Sequence, residues 1–66
     1  MDILLNGQPR QIQDATTLLD LLTAEGLHER RLAIEVNLEI IPRQRYAEHL
    51  LASGDRVEIV QAIGGG

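Results

Sequence analysis

The sequence predicts a small α+β roll, one helix packed across one face of a mixed sheet, from three observations. Asn6-Gly7 separates two short strand-like runs near the start, and Asn-Gly tolerates the positive φ angles of a tight hairpin turn. A single stretch, Leu18 to Leu22, carries leucines at helical spacing. Most of the chain after Gly26 alternates or is broken by turn residues. A hairpin, one helix and then more strands favour a helix laid on one sheet face.

Taken in order, Ile3-Leu4-Leu5 is the first strand and about Gln8 to Gln13 the second, with Pro9 near its start, where an edge strand accepts it. Leu18, Leu21 and Leu22 fall on one face of a helix of about nine residues. Thr17 and Asp20 have the spacing of a capping box, although Asp is a weaker partner there than Glu. Gly26 suits the left-handed position past the helix end. Leu32-Ala33-Ile34-Glu35-Val36 alternates, so Leu32, Ile34 and Val36 are expected inward. Asn37-Leu38 is then a two-residue turn into Glu39-Ile40-Ile41, setting Ile34 opposite Ile41. Leu38 is unusual in a turn that favours Gly. Pro42 ends the strand, and Arg43 to Leu51 is a connection expected to hold one helical turn with Tyr46 and Leu50. Ser53-Gly54-Asp55 is turn chemistry, and the last strand, Arg56 to about Gln61, is expected to bury Val57 and Ile59.

Composition narrows the function. A chain of 66 residues is one domain at most, and one this small buries only about 60% of the surface its unfolded form exposes. It has no Cys, which excludes a disulfide staple and a Cys-based metal site. His28 and His49 are too few and too far apart to suggest a metal site. Regular packing of the 44% hydrophobic residues must hold the fold. Ten acidic residues against six basic ones give a charge of −4, which argues against nucleic acid as a partner. The single aromatic, Tyr46, offers no platform for stacking bases. All six basic residues are Arg, so no side-chain amine is present to accept an isopeptide bond. The apolar run at the start is shorter than a signal-peptide core, and no stretch is long enough to span a bilayer, so a cytoplasmic location is expected.

The chain closes on Gly64-Gly65-Gly66. With Gly usage near 7%, a chance triple at that position arises in about 0.03% of chains. The last strand runs almost directly into these glycines. A terminal carboxylate is inert until activated, usually by transfer to the α-phosphate of ATP. A tail without Cβ atoms threads a narrow enzyme channel and adopts conformations closed to other residues. Residues 1–63 are therefore read as the folded domain and 64–66 as a flexible tail.

The segments Glu35 to Arg43, Tyr46, Gly54 to Val60 and Ile63 to Gly66 resemble the ThiS family of sulfur carriers from thiamine biosynthesis. The Asn6-Gly7 hairpin and the Thr17/leucine helix match in order, so the resemblance covers essentially the whole chain. Gly-Asp before the last strand and the terminal Gly-Gly are common to sulfur carriers of this fold; Val-Asn-x-x-Ile-x-Pro-Arg discriminates more. The resemblance implies a ubiquitin-like β-grasp fold with the first and last strands parallel at the sheet centre. It further implies that Gly66 is adenylated by an E1-like enzyme (ThiF) and converted to a thiocarboxylate. Thiazole synthase (ThiG) then takes the sulfur to build the thiazole. Gly66 would bear the sulfur, and Gly65 and Gly64 would thread partner active sites. Without Cys, sulfur must come from a donor protein, and the chain is expected to act as a co-substrate with no enzymatic activity, bound cofactor or metal.

An inward Val57 and Ile59 leave Glu58, Val60 and Ala62 outward. Val60, Ala62 and Ile63 are then candidates for an apolar partner contact, the alternative being that Val60 packs under the Arg43–Leu51 segment. Glu35 and Glu58 are candidates for an acidic face that steers a basic partner. Arg43 is open between pairing with an acidic partner and solvation, while Tyr46 is read as packing. Three other functions stay open: the small subunit of molybdopterin synthase, a ubiquitin-like modifier conjugated through Gly66, and a structural interaction domain. Against the first, the chain lacks extra length before the third strand and has Gln61-Ala62-Ile63 where a Pro-rich approach is expected.

Overall fold

The computed structural model describes residues 1–61; Ala62, Ile63 and Gly64 to Gly66 lie outside the described residues. Strands β1 (Asp2–Leu5), β2 (Gln8–Gln11), β3 (Leu32–Val36), β4 (Glu39–Ile41) and β5 (Arg56–Gln61) form one sheet in the order β2-β1-β5-β3-β4. Helix α1 (Leu18–Ala24) joins the two hairpins. Strand β5 is central, parallel to β1 and antiparallel to β3, the mixed arrangement the sequence predicts. Both hairpin turns have two residues, and all four of them, Asn6, Gly7, Asn37 and Leu38, have positive φ. Such turns match the natural twist of paired strands.

The alternation read from the sequence sorts the sheet into two faces. Ile3, Leu5, Ile34, Val36 and Val57 are buried on one of them, with Leu32, Ile41 and Ile59 partly buried alongside. Ile34 does pair with Ile41. Leu18, Leu21 and Leu22 complete the core from the helix. The capping box is reciprocal: Asp20 N–H donates to Thr17 Oγ1 at 3.0 Å and Thr17 N–H to Asp20 Oδ2 at 3.1 Å. The helix has seven residues where about nine are expected, because its cap begins at Thr17 and the chain leaves the helix at Glu25. Gly26 takes φ 73° just beyond, as expected. Strand β2 likewise stops at Gln11, short of Gln13.

The long connection departs from the sequence reading. A 3-10 turn forms at Arg43–Arg45 with Tyr46 closing it, but Leu50 lies outside that turn and is 60% exposed. Leu51 is the buried residue. The reason lies in the helix terminus, whose first N–H groups have no partner within the helix. Leu18 N–H finds the His49 carbonyl at 3.0 Å and Leu19 N–H finds Tyr46 at 3.0 Å. Leu51 N–H donates to Thr16 at 2.9 Å, and Thr17 bridges Leu50. The connection is thus drawn out as an extended strap across the helix start, which turns Leu51 inward and Leu50 outward. Tyr46 is buried, and that burial pushes its phenol above the usual pKa, with nearby Arg43 pulling the other way.

The cap is testable by chemical denaturation. Thr17→Ala removes the acceptor for Asp20 N–H and is expected to cost about 1 kcal/mol of stability with the denaturant slope unchanged.

Candidate functional site

Among the described residues there is no buried polar side chain, and no group of three His, Cys, Asp or Glu could hold a metal ion. His28 is exposed and His49 half-buried, on separate elements. No catalytic apparatus is assembled in this part of the chain. What the fold does build is a rigid mounting for β5, the strand that leads to Ala62–Gly66.

The start of β5 is held by a polar clamp. Asp55 Oδ1 accepts from Asn37 Nδ2 at 3.0 Å, and Asp55 Oδ2 accepts from Ala52 N–H at 2.8 Å. Asn37 Oδ1 in turn accepts from Arg56 N–H at 3.0 Å, while Asn37 N–H donates to the Arg56 carbonyl at 2.8 Å. Gly54, at φ 88°, lets its own N–H reach the Asp2 carbonyl at 2.7 Å. The next carbonyl, Asp55, accepts from Leu4 N–H at 2.9 Å. Farther along, parallel pairing of β1 with β5 covers only Leu4–Arg56 and Leu5–Val57 before the chain turns away. Asn6 extends the ladder with its side chain, whose Oδ1 accepts from Ile59 N–H at 2.8 Å.

These contacts give the sequence motifs a structural role. Asn37 and Asp55 belong to the two stretches that carry the family resemblance, and both hold the scaffold together. Arg43 donates to the Arg30 carbonyl at 2.9 Å, tying the connection to the loop before β3, so neither solvation nor an acidic partner accounts for it. The pairing of Asn37 with Asp55 spans eighteen residues, and the sequence carries only a weak sign of it: an Asn in a tight turn and an Asp after a Gly.

The sheet face away from the helix is open. Val60 sits on it, 63% exposed and paired with Ala33, so it does not pack under the Arg43–Leu51 segment. Glu58 and Glu35 stand opposite each other on the same face. Ala62 and Ile63, read as continuing that strip, and Gly64, Gly65 and Gly66 lie outside the described residues. On the other side of the sheet Arg10 forms a two-pronged ion pair with Glu25, which raises the pKa of the guanidinium. No described helix is long and apolar enough to cross a membrane.

A small sheet organised around a central last strand, with its first strand parallel, is the arrangement expected of a sulfur-carrier fold. A profile of the ThiS family matches residues 3–66. The chain belongs to the ThiS family. It is 33% identical over 66 residues to the sulfur carrier protein ThiS of Escherichia coli, with both chains covered in full. The solved thiamine biosynthesis protein (ThiS) of Geobacter metallireducens superposes with a TM-score of 0.82 at 28% identity, again over the whole of both chains. This supports the ubiquitin-like β-grasp assignment. A thiazole synthase of Paramagnetospirillum magneticum is 41% identical over 66 residues. That match takes in all of this chain and 20% of the synthase, so the chain spans one fifth of that relative's length.

The clamp predicts a specific rescue. Asn37→Asp sets two carboxylates together and is expected to cost about 2 kcal/mol. Adding Asp55→Asn exchanges donor and acceptor, keeps every bond of the set, and should restore most of the loss in a double-mutant cycle.

Proposed function

We propose that the chain is a sulfur carrier of thiamine biosynthesis and bears its sulfur as a thiocarboxylate on Gly66. Family membership across residues 3–66, glycines included, is the observation that carries this reading. An E1-like adenylating enzyme (ThiF) joins the Gly66 carboxylate to the α-phosphate of ATP and releases pyrophosphate. A sulfur nucleophile delivered by a donor protein then displaces AMP, leaving the thiocarboxylate. Thiazole synthase (ThiG) takes up that sulfur. In this scheme the chain is a co-substrate, and the ATP belongs to its partner.

The described part of the chain supports such a role by what it lacks as well as by what it holds. It has no Cys, so sulfur cannot rest on a side-chain persulfide. It has no buried polar side chain among the described residues that could compete for an activated acyl group. Gly65 and Gly64 pass through the partner's channel, where a Cβ would clash. Val60, with Ala62 and Ile63 after it, supplies an apolar contact beside the channel mouth.

Untagged chain incubated with the adenylating enzyme, ATP and a sulfur donor is expected to exchange one oxygen for sulfur at Gly66, read by intact mass and fragmentation. One residue added after Gly66 should abolish the exchange; sulfur gained equally well by the extended chain would overturn the assignment. Val60→Asp, once shown to fold, is expected to lower the adenylation rate about tenfold or more by placing a charge in an apolar contact. Unchanged kinetics would remove Val60 from the contact.

A further inference from the structure

Three features of the open sheet face lower stability and gain nothing inside the fold. Leu38, at the β3–β4 tip, takes φ 71° and is 78% exposed, at a turn position that glycine fills without strain. Ile40, paired with Glu35, is 71% exposed. Glu35 and Glu58 face each other directly across β3 and β5, an arrangement in which like charges repel. Among the described residues the one ion pair is Arg10–Glu25, on the helix side of the sheet. Arg56, two residues before Glu58, is not within 4.0 Å of either carboxylate. Strain and unpaired charge that the fold itself does not use tend to collect where a partner uses them.

We propose that this face is one docking surface for thiazole synthase, which meets it with an arginine or lysine set among apolar side chains. The inference rests on the sulfur-carrier reading and extends it to a surface far from Gly66. Leu38 lies at the end of the sheet where Val36 pairs with Val57, whereas the tail leaves from the opposite end, where Leu32 pairs with Gln61. A cation between Glu35 and Glu58 converts their repulsion into attraction to both, and Ile40 and Val60 flank it with apolar contact. A second copy of this chain is a poor occupant, because a two-fold apposition of this face sets its carboxylates against themselves. Thiazole synthase is favoured because a sequence 41% identical to this chain forms part of such an enzyme, which holds the two at high effective concentration.

The test uses the full chain, its adenylating enzyme and a thiazole synthase from the same genome. Two variants are compared with the parent, Glu35→Gln/Glu58→Gln and Leu38→Gly. Both relieve a local cost, so both are expected to unfold at a higher temperature. Both are also expected to bind thiazole synthase at least about tenfold more weakly. The parent's affinity should fall with added salt, and that of the double variant less so. Sulfur loading of Gly66 by the adenylating enzyme should be unchanged. Undiminished affinity for the synthase, weakened affinity for the adenylating enzyme alone, or a lower unfolding temperature would each overturn the proposal. These outcomes are separate from failure of the carrier reading, which shows as a parent chain that gains no sulfur from active enzyme.

Discussion

The carboxylate of Asp55 and its backbone join three parts of the chain that are distant in sequence. Its two oxygens hold the β3–β4 turn through Asn37 and the strap through Ala52, while its carbonyl receives Leu4 from the N-terminal hairpin. The next residue, Arg56, begins β5, and β5 pairs with both hairpins. Because the clamp sits where β5 starts, it sets the register in which Val57 is buried and Val60 exposed. A slip of one residue would invert that pattern and bring Glu58 into the core. The side chains of a small core could not enforce the register alone, since Val57 and Val60 differ little in chemistry.

With β5 held at its start by Asp55 and along its length by Asn6, the strand presents one face to the leucines of the helix and the other to solvent. A division of labour results. The helix face is saturated, its leucines buried and its first N–H groups bonded to the strap. The opposite face keeps exposed apolar groups and a pair of facing carboxylates that no described group satisfies. A carrier must be stable alone and yet bind successive partners. Placing the stabilising contacts on one side of a central strand leaves the other side free to serve binding.

Much of this was legible in the residues. The Asn-Gly turn, the Thr17–Asp20 cap, the leucine face and the Ile34–Ile41 pairing each depend on contacts within a few residues or across one tight hairpin. Their geometry derives from spacing. The strap did not yield to the same reasoning. Tyr46 and Leu50 have helical spacing, and the preference for a helical turn there is overridden by unpaired N–H groups at the start of a helix some thirty residues earlier. The roles of Asn37, Asp55 and Arg43 escaped for the same reason, since each partner is chosen by the fold and lies thirteen to eighteen residues away.

The sequence by itself determined the alternation that divides the sheet into two faces, the position of the single helix, the absence of thiol chemistry and the glycine ending. All of these are properties of local spacing and composition. Only the tertiary structure decided that Asn37 and Asp55 hold the scaffold, that Leu51 and not Leu50 enters the core, and that Glu35 faces Glu58 on an open surface with Ile40 and Val60. Those outcomes depend on which strands become neighbours and in what register, and that is settled by hydrogen bonds between residues that no local pattern connects.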